Sequence, residues 1–108
     1  MSTRSVGNYY ANKTKEYYEK LGYQVAKCEV TKMAWIRGHM IPIHTDIWAS
    51  DLMAMNKDEL IFIQVKTFKG DLIKALREFA KYTWPKSVRK VVVRWIPRHR
   101  TPVITEVD

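Results

Sequence analysis

Residues 60–66, LIFIQVK, limit the fold more than any other part of the chain. Leu60, Ile61, Phe62 and Ile63 form an apolar run of β-favouring side chains, the pattern of a central strand covered on both faces. The run then turns polar. Side chains alternate along a strand, so Gln64 and Lys66 share the face of Leu60 and Phe62, while Ile61, Ile63 and Val65 keep the other face apolar. A lysine at the end of an apolar face is costly unless a carboxylate, a phosphate or an open cleft receives it. Asp51, which opens the apolar run 52–55, is the candidate. The polar residues 56–59 between the two runs suit a tight hairpin, which sets Asp51 beside Gln64 and Lys66 at one end of adjacent strands.

The elements around this pair follow from periodicity. Residues 6–21 read as an amphipathic helix stopped by Gly22, with four tyrosines shared between core and surface. Residues 23–31 alternate as a strand with imperfect parity at Val25 and Cys28. Residues 32–45, broken by Gly38 and Pro42, read as a loop over the site. His39 and His44 fall there without a third ligand at zinc spacing, and His44 is the better candidate for a DNA or solvent contact. Asp71 reads as the N-cap of a helix over 72–82, ended by Trp84-Pro85. Residues 88–96 read as a second strand whose Arg94 interrupts one face, and 102–107 as a short edge strand. The crossover from one clear strand through the helix to the next is a βαβ unit, so those strands pair in parallel.

A chain of 108 residues supplies one core, hence a single domain over 1–108. The lone Cys28 excludes an intrachain disulfide framework and fits a reducing, cytoplasmic setting. No apolar run has the length of a membrane span, and the first residues lack the apolar core of a signal peptide. The charge is more selective. Of a net +8, residues 66–100 carry eleven Lys and Arg against Asp71 and Glu78, whereas residues 1–65 carry eight against seven acids. A basic half that starts at the candidate site favours a polyanion, because each cation that neutralises a phosphate releases counterions. An uncommitted solvated surface is the alternative.

Taken together, these residues resemble the PD-(D/E)XK nuclease superfamily, with its restriction-endonuclease-like core. Ser50-Asp51 stands where that family has Pro-Asp, and Gln64-Val65-Lys66, with Gln64 thirteen positions beyond Asp51, where it has Glu-X-Lys. The chain looks most like archaeal and viral Holliday-junction resolvases. The resemblance implies an α/β fold, a mixed sheet of four to five strands flanked by helices in the order α-β-β-β-α-β. It further implies a Mg²⁺-dependent endodeoxyribonuclease, with Mn²⁺ as substitute, acting on DNA that is branched. In that scheme Asp51, Gln64 and the Val65 carbonyl bind the metal, a hard cation that takes oxygen ligands. Lys66 activates water and stabilises the charge developing on the phosphate. Gln64 departs from the family acid, and Ala11 stands where many resolvases carry a first-helix glutamate; Asp46 is either the second carboxylate or a salt bridge or turn cap. Arg37, His44, Lys69, Arg77, Lys81, Lys86 and Arg89 are the candidate phosphate contacts. Symmetric resolution needs two active sites, hence a homodimer. The competing expectations are a nuclease fold kept for DNA binding alone and a protein-interaction adaptor.

Overall fold

The computed structural model describes residues 3–67 and 72–108, and the side chains of all of these except 3–7, 29, 30 and 44–46. Nine elements follow in chain order: α1 (Thr3–Lys20), β1 (Gln24–Lys27), β2 (Glu29–Ile36), β3 (His39–Asp46), β4 (Leu52–Met55), β5 (Leu60–Thr67), α2 (Leu72–Ala80), β6 (Val88–Trp95) and β7 (Val103–Val107).

Five strands form one mixed sheet in the order β1-β4-β5-β6-β7. The βαβ unit is present: β5 and β6 pair in parallel across α2, in the register Gln64↔Val92 and Lys66↔Arg94. The other three contacts of the sheet are antiparallel. The β5 run is covered on both sides, as its composition requires. Ile61 and Ile63 pack with Leu52, Ala54, Val91, Val93, Trp95 and Tyr18 under α1. Phe62 and Val92 pack on the opposite face with Ala75 and Phe79 of α2. Each such fully buried aliphatic or aromatic side chain is worth about 1.5–3 kcal/mol.

Two local devices hold these layers. The Trp95 indole N–H donates to Thr14 Oγ1 at 2.7 Å, and the Thr14 hydroxyl donates to the Tyr10 carbonyl at 2.7 Å, which ties α1 to β6 through buried groups. At the end of α1, the Gly22 amide reaches the Glu19 carbonyl and the Tyr23 amide reaches Tyr18, each near 3 Å. That pairing needs a left-handed residue between them, and Gly22 supplies φ +97°.

The 56–59 hairpin forms as expected. Asn56 Oδ1 accepts the Asp58 and Glu59 amides at 2.8 Å, an Asx turn. Residues 32–45 differ from expectation: they are a β-hairpin, β2 with β3, and make a separate two-stranded sheet. The two punctuating residues have strand-compatible roles. Arg37 and Gly38, at φ 52° and 81°, provide the two positive φ values of a two-residue hairpin turn. A two-stranded ribbon has two open edges, where a proline such as Pro42 is tolerated. The strand expected over 23–31 is consequently split at Cys28, where the chain leaves the main sheet for the hairpin. Helix α2 ends at Ala80, two residues early, and the Asp71 cap lies outside the described residues.

Among the described residues the hairpin makes no extensive contact with another helix or strand. It lengthens the molecule to 46 × 35 × 27 Å and raises the radius of gyration to 14.8 Å, where a chain this long typically packs to about 13 Å.

Candidate active site

Asp51 is fixed by a strained turn. Residues 47–50 fold back so that the Ser50 amide meets the Ile47 carbonyl at 3.0 Å, with Trp48 and Ala49 both left-handed at φ 49° and 58°. Neither is glycine, and each such residue costs on the order of 1–3 kcal/mol. The surroundings hold them there. The buried Ser50 hydroxyl donates to the Trp48 carbonyl at 3.0 Å, and the Trp48 ring stands edge-on to Phe62 and Trp84 at 5.6 and 6.3 Å. The next residue, Asp51, is then pinned from both sides. Its amide donates to the Ile63 carbonyl of β5 at 2.8 Å, and its carbonyl accepts the Cys28 amide at 2.9 Å.

The Asp51 carboxylate turns onto β5, where Oδ2 accepts the Val65 amide at 2.7 Å. It therefore lies against the middle of the Gln64-Val65-Lys66 segment. Gln64 is buried, 7 % exposed, and its Oε1 has no hydrogen-bond partner among the described residues. A second buried polar atom is in the same condition. Arg94 Nε, on β6, also lacks a partner among the described residues, and Arg94 is the register neighbour of Lys66. Gln64, Lys66, Val92 and Arg94 all project from the α2 side of the sheet, because Val92 packs with Phe62 there. An unmade acceptor and an unmade donor thus sit two residues apart in register, beside one carboxylate and one lysine. Buried polar groups are nearly always paired, so two exceptions at one spot call for a ligand that satisfies both.

The donor set suits a hard cation in part. One carboxylate, one amide oxygen and the Val65 carbonyl offer oxygens of the kind Mg²⁺ takes, with water completing its shell. Among the described residues no three His, Cys, Asp or Glu side chains cluster. Asp46 ends β3, and its side chain lies outside the described residues.

The expected phosphate contacts are not brought together. Arg37 caps the hairpin. The side chain of His44 and the whole of Lys69 lie outside the described residues. Arg77 is exposed on α2, and Lys81 pairs with Glu78 on its surface at 3.3 Å. Lys86 precedes β6 and so stands at the end of the sheet opposite Lys66. Arg89 is there too, bound to Glu59 at 2.9 Å and to Glu106. Its contact with Glu106 above all raises the guanidinium pKa further, and the Tyr23 hydroxyl, hydrogen-bonded to Glu59, holds that carboxyl below its usual range. This network clamps the far end of β5, β6 and β7. Arg89 and Lys86 are therefore remote from Asp51.

The cations near the site are others. Lys27 ends β1 beside Leu52, Arg94 flanks Lys66, and Arg98 and Arg100 are exposed on the turn after β6. Arg94 was visible in the sequence as the residue breaking a strand face, and Arg98 and Arg100 only as part of the basic stretch 66–100. Trp95 is buried, whereas Trp48 and Trp84 line a groove of about 450 Å³ with Tyr82 and Pro85.

This architecture has counterparts among solved structures. The Hjc Holliday junction resolvase of Archaeoglobus fulgidus superposes with a TM-score of 0.58 over 94 % of this chain and 70 % of its own, at 13 % identity. The fold is that of a Holliday junction resolvase. A second similar structure, SSO0001, gives a TM-score of 0.57 at 18 % identity, covering 95 % of this chain and 50 % of that one. No protein-family model and no curated protein sequence matches the chain. Among the described residues no helix is long and apolar enough to cross a membrane.

Proposed function

We propose that this protein is a Mg²⁺-dependent DNA endonuclease that hydrolyses phosphodiester bonds in branched DNA, with Mn²⁺ able to substitute. The observation that carries the reading is the pair of unsatisfied buried atoms, Gln64 Oε1 and Arg94 Nε, set beside Asp51 and Lys66 on a resolvase-like sheet. The acceptor suits a cation and the donor a phosphate.

Asp51, Gln64 and the Val65 carbonyl would hold the metal, which when bound supplies Lewis-acid polarisation of the scissile phosphate. Asp51 is kept in place for this by the Val65 amide and the turn before it. Lys66 orients the attacking water and offsets the charge that builds on the phosphate oxygens. Arg94 donates from Nε to a phosphate oxygen, a charge-assisted bond stronger than a neutral one. Arg37, Arg98 and Arg100 hold the flanking backbone without reading sequence. Cutting a four-way junction symmetrically takes two such sites, so the working unit is a two-fold dimer.

The test is incubation of four-way and linear DNA with the protein in Mg²⁺, in EDTA, and as Lys66→Ala. Cleavage that requires Mg²⁺ and Lys66 supports the proposal. Intact DNA that nevertheless shifts in a gel overturns the enzymatic part in favour of a binding module. No salt-dependent DNA binding at all overturns both.

A further inference from the structure

The β2–β3 hairpin leaves the sheet at Cys28 and rejoins it just before Asp51, so its base adjoins the candidate active site. Eight residues per strand give it a reach of about 26 Å. Its far half carries several exposed large apolar side chains, Met33, Trp35, Ile36, Met40 and Ile41 among them. Trp35 is 72 % exposed and lies opposite Met40, and Met33, 56 % exposed, lies opposite Pro42 on the same face. Ile36 pairs with His39 at the turn on the other face. A lone two-stranded hairpin is marginal in water, and one with uncovered apolar side chains on both faces gains by entering another surface.

Charge selects the occupant. No Asp or Glu occurs between residues 30 and 45, whereas Lys32, Arg37, His39 and His44 do. Two such arms laid on each other would set like charges together, while a polyanion meets them favourably. A two-stranded ribbon fits a DNA groove, and apolar side chains at the end of such an arm enter between base pairs where stacking is weak. The turn residues Arg37 and Gly38 hold the tip in a defined two-residue turn, so Trp35 is presented rather than collapsed.

We infer that the hairpin is a wedge that stacks Trp35 on an unpaired or branch-point base, with Arg37 on the adjoining phosphate, and thereby selects opened DNA for the site at its base. This rests on the nuclease reading above. Stacking a base on an aromatic ring is worth about 5- to 150-fold in affinity.

The experiment uses the Lys66→Ala protein, which leaves DNA uncut, and a four-way junction with 2-aminopurine at the branch point. Binding is expected to raise or quench the 2-aminopurine emission well beyond that of the same base in a linear duplex. Adding Trp35→Ala should abolish the change and weaken junction binding at least fivefold, leaving linear-duplex binding within twofold. Trp35→Phe should restore most of it. The wedge is overturned if Trp35→Ala leaves the branch-point signal intact, if it weakens both DNAs equally, or if sedimentation shows that it converts a wild-type dimer to a monomer. Cleavage that survives Trp35→Ala without any loss of junction preference overturns the wedge alone; absence of DNA binding by the wild type overturns the nuclease reading with it. Circular dichroism matching the wild type verifies that this exposed substitution leaves the fold intact.

Discussion

Replacing Gln64 with methionine separates stability from chemistry at the site. Methionine matches glutamine in length and lacks the amide. Gln64 is 7 % exposed and its Oε1 has no partner among the described residues. A buried acceptor left unmade costs about 1–3 kcal/mol, whereas a volume-conserving hydrophobic swap costs less than about 1.5 kcal/mol. Gln64→Met is therefore expected to stabilise the metal-free protein by about 1 kcal/mol. With an unfolding entropy of about 2.1 cal/mol/K per residue over 108 residues, that is a rise of about 4 °C in Tm. On the proposed metal site, Mg²⁺ at ten times its dissociation constant would add about 1.4 kcal/mol to the wild type, or about 6 °C, by binding the native state. The variant should lose most of that increment together with cleavage. Thermal unfolding followed by circular dichroism, in EDTA and across a MgCl₂ titration, measures both effects. A variant melting 4 °C or more below wild type in EDTA would show that the Gln64 amide is satisfied in the folded protein. An undiminished Mg²⁺ increment would remove Gln64 from the ligand set.

Three further outcomes are expected. Thr14→Val strands the buried Trp95 indole N–H and should lower stability by about 1–3 kcal/mol, read as a fall in the urea midpoint without a change in slope; a loss below 0.5 kcal/mol would deny the relay any weight. Burial, chiefly, pushes the Tyr18 hydroxyl up to about 12, so the folded protein holds its proton after the unfolded chain has released it near pH 10. Its contribution is thus full below pH 10 and lost between pH 10 and 12, and Tyr18→Phe should flatten the wild-type decline in Tm over that window. In DNA binding, Arg98→Ala should reduce the slope of log K against log salt by about one, while Lys86→Ala, at the far end of the sheet, should leave it unchanged; equal slopes for both would deny that the Arg98 end of the sheet holds the phosphates.

The legible parts of this protein are those governed by local pattern. The apolar run 60–63 could only be a covered strand, the period of 72–82 only an amphipathic helix, which the structure ends at Ala80, and the polar residues 56–59 only a turn. Asp51 and Gln64-Val65-Lys66 followed, because alternation along β5 and one hairpin register bring them together without any long-range information. The hairpin at 29–46 was not legible: a glycine and a proline in a mixed stretch look like a loop until a partner strand shows that one serves the turn and the other an edge.

Charge was legible as an amount and not as a place. The sequence by itself determined an excess of cations after residue 65, a parallel crossover and a polar end to a central strand. Only the tertiary structure decided which cations stand near Asp51. Parallel pairing in register sets Arg94 beside Lys66, while it carries Arg89, five positions earlier on the same strand, to the far end and into the hands of Glu59 and Glu106. A strand rises about 3.3 Å per residue, so neighbours in sequence part company along the sheet, and residues distant in sequence meet wherever hydrogen-bonded register aligns them.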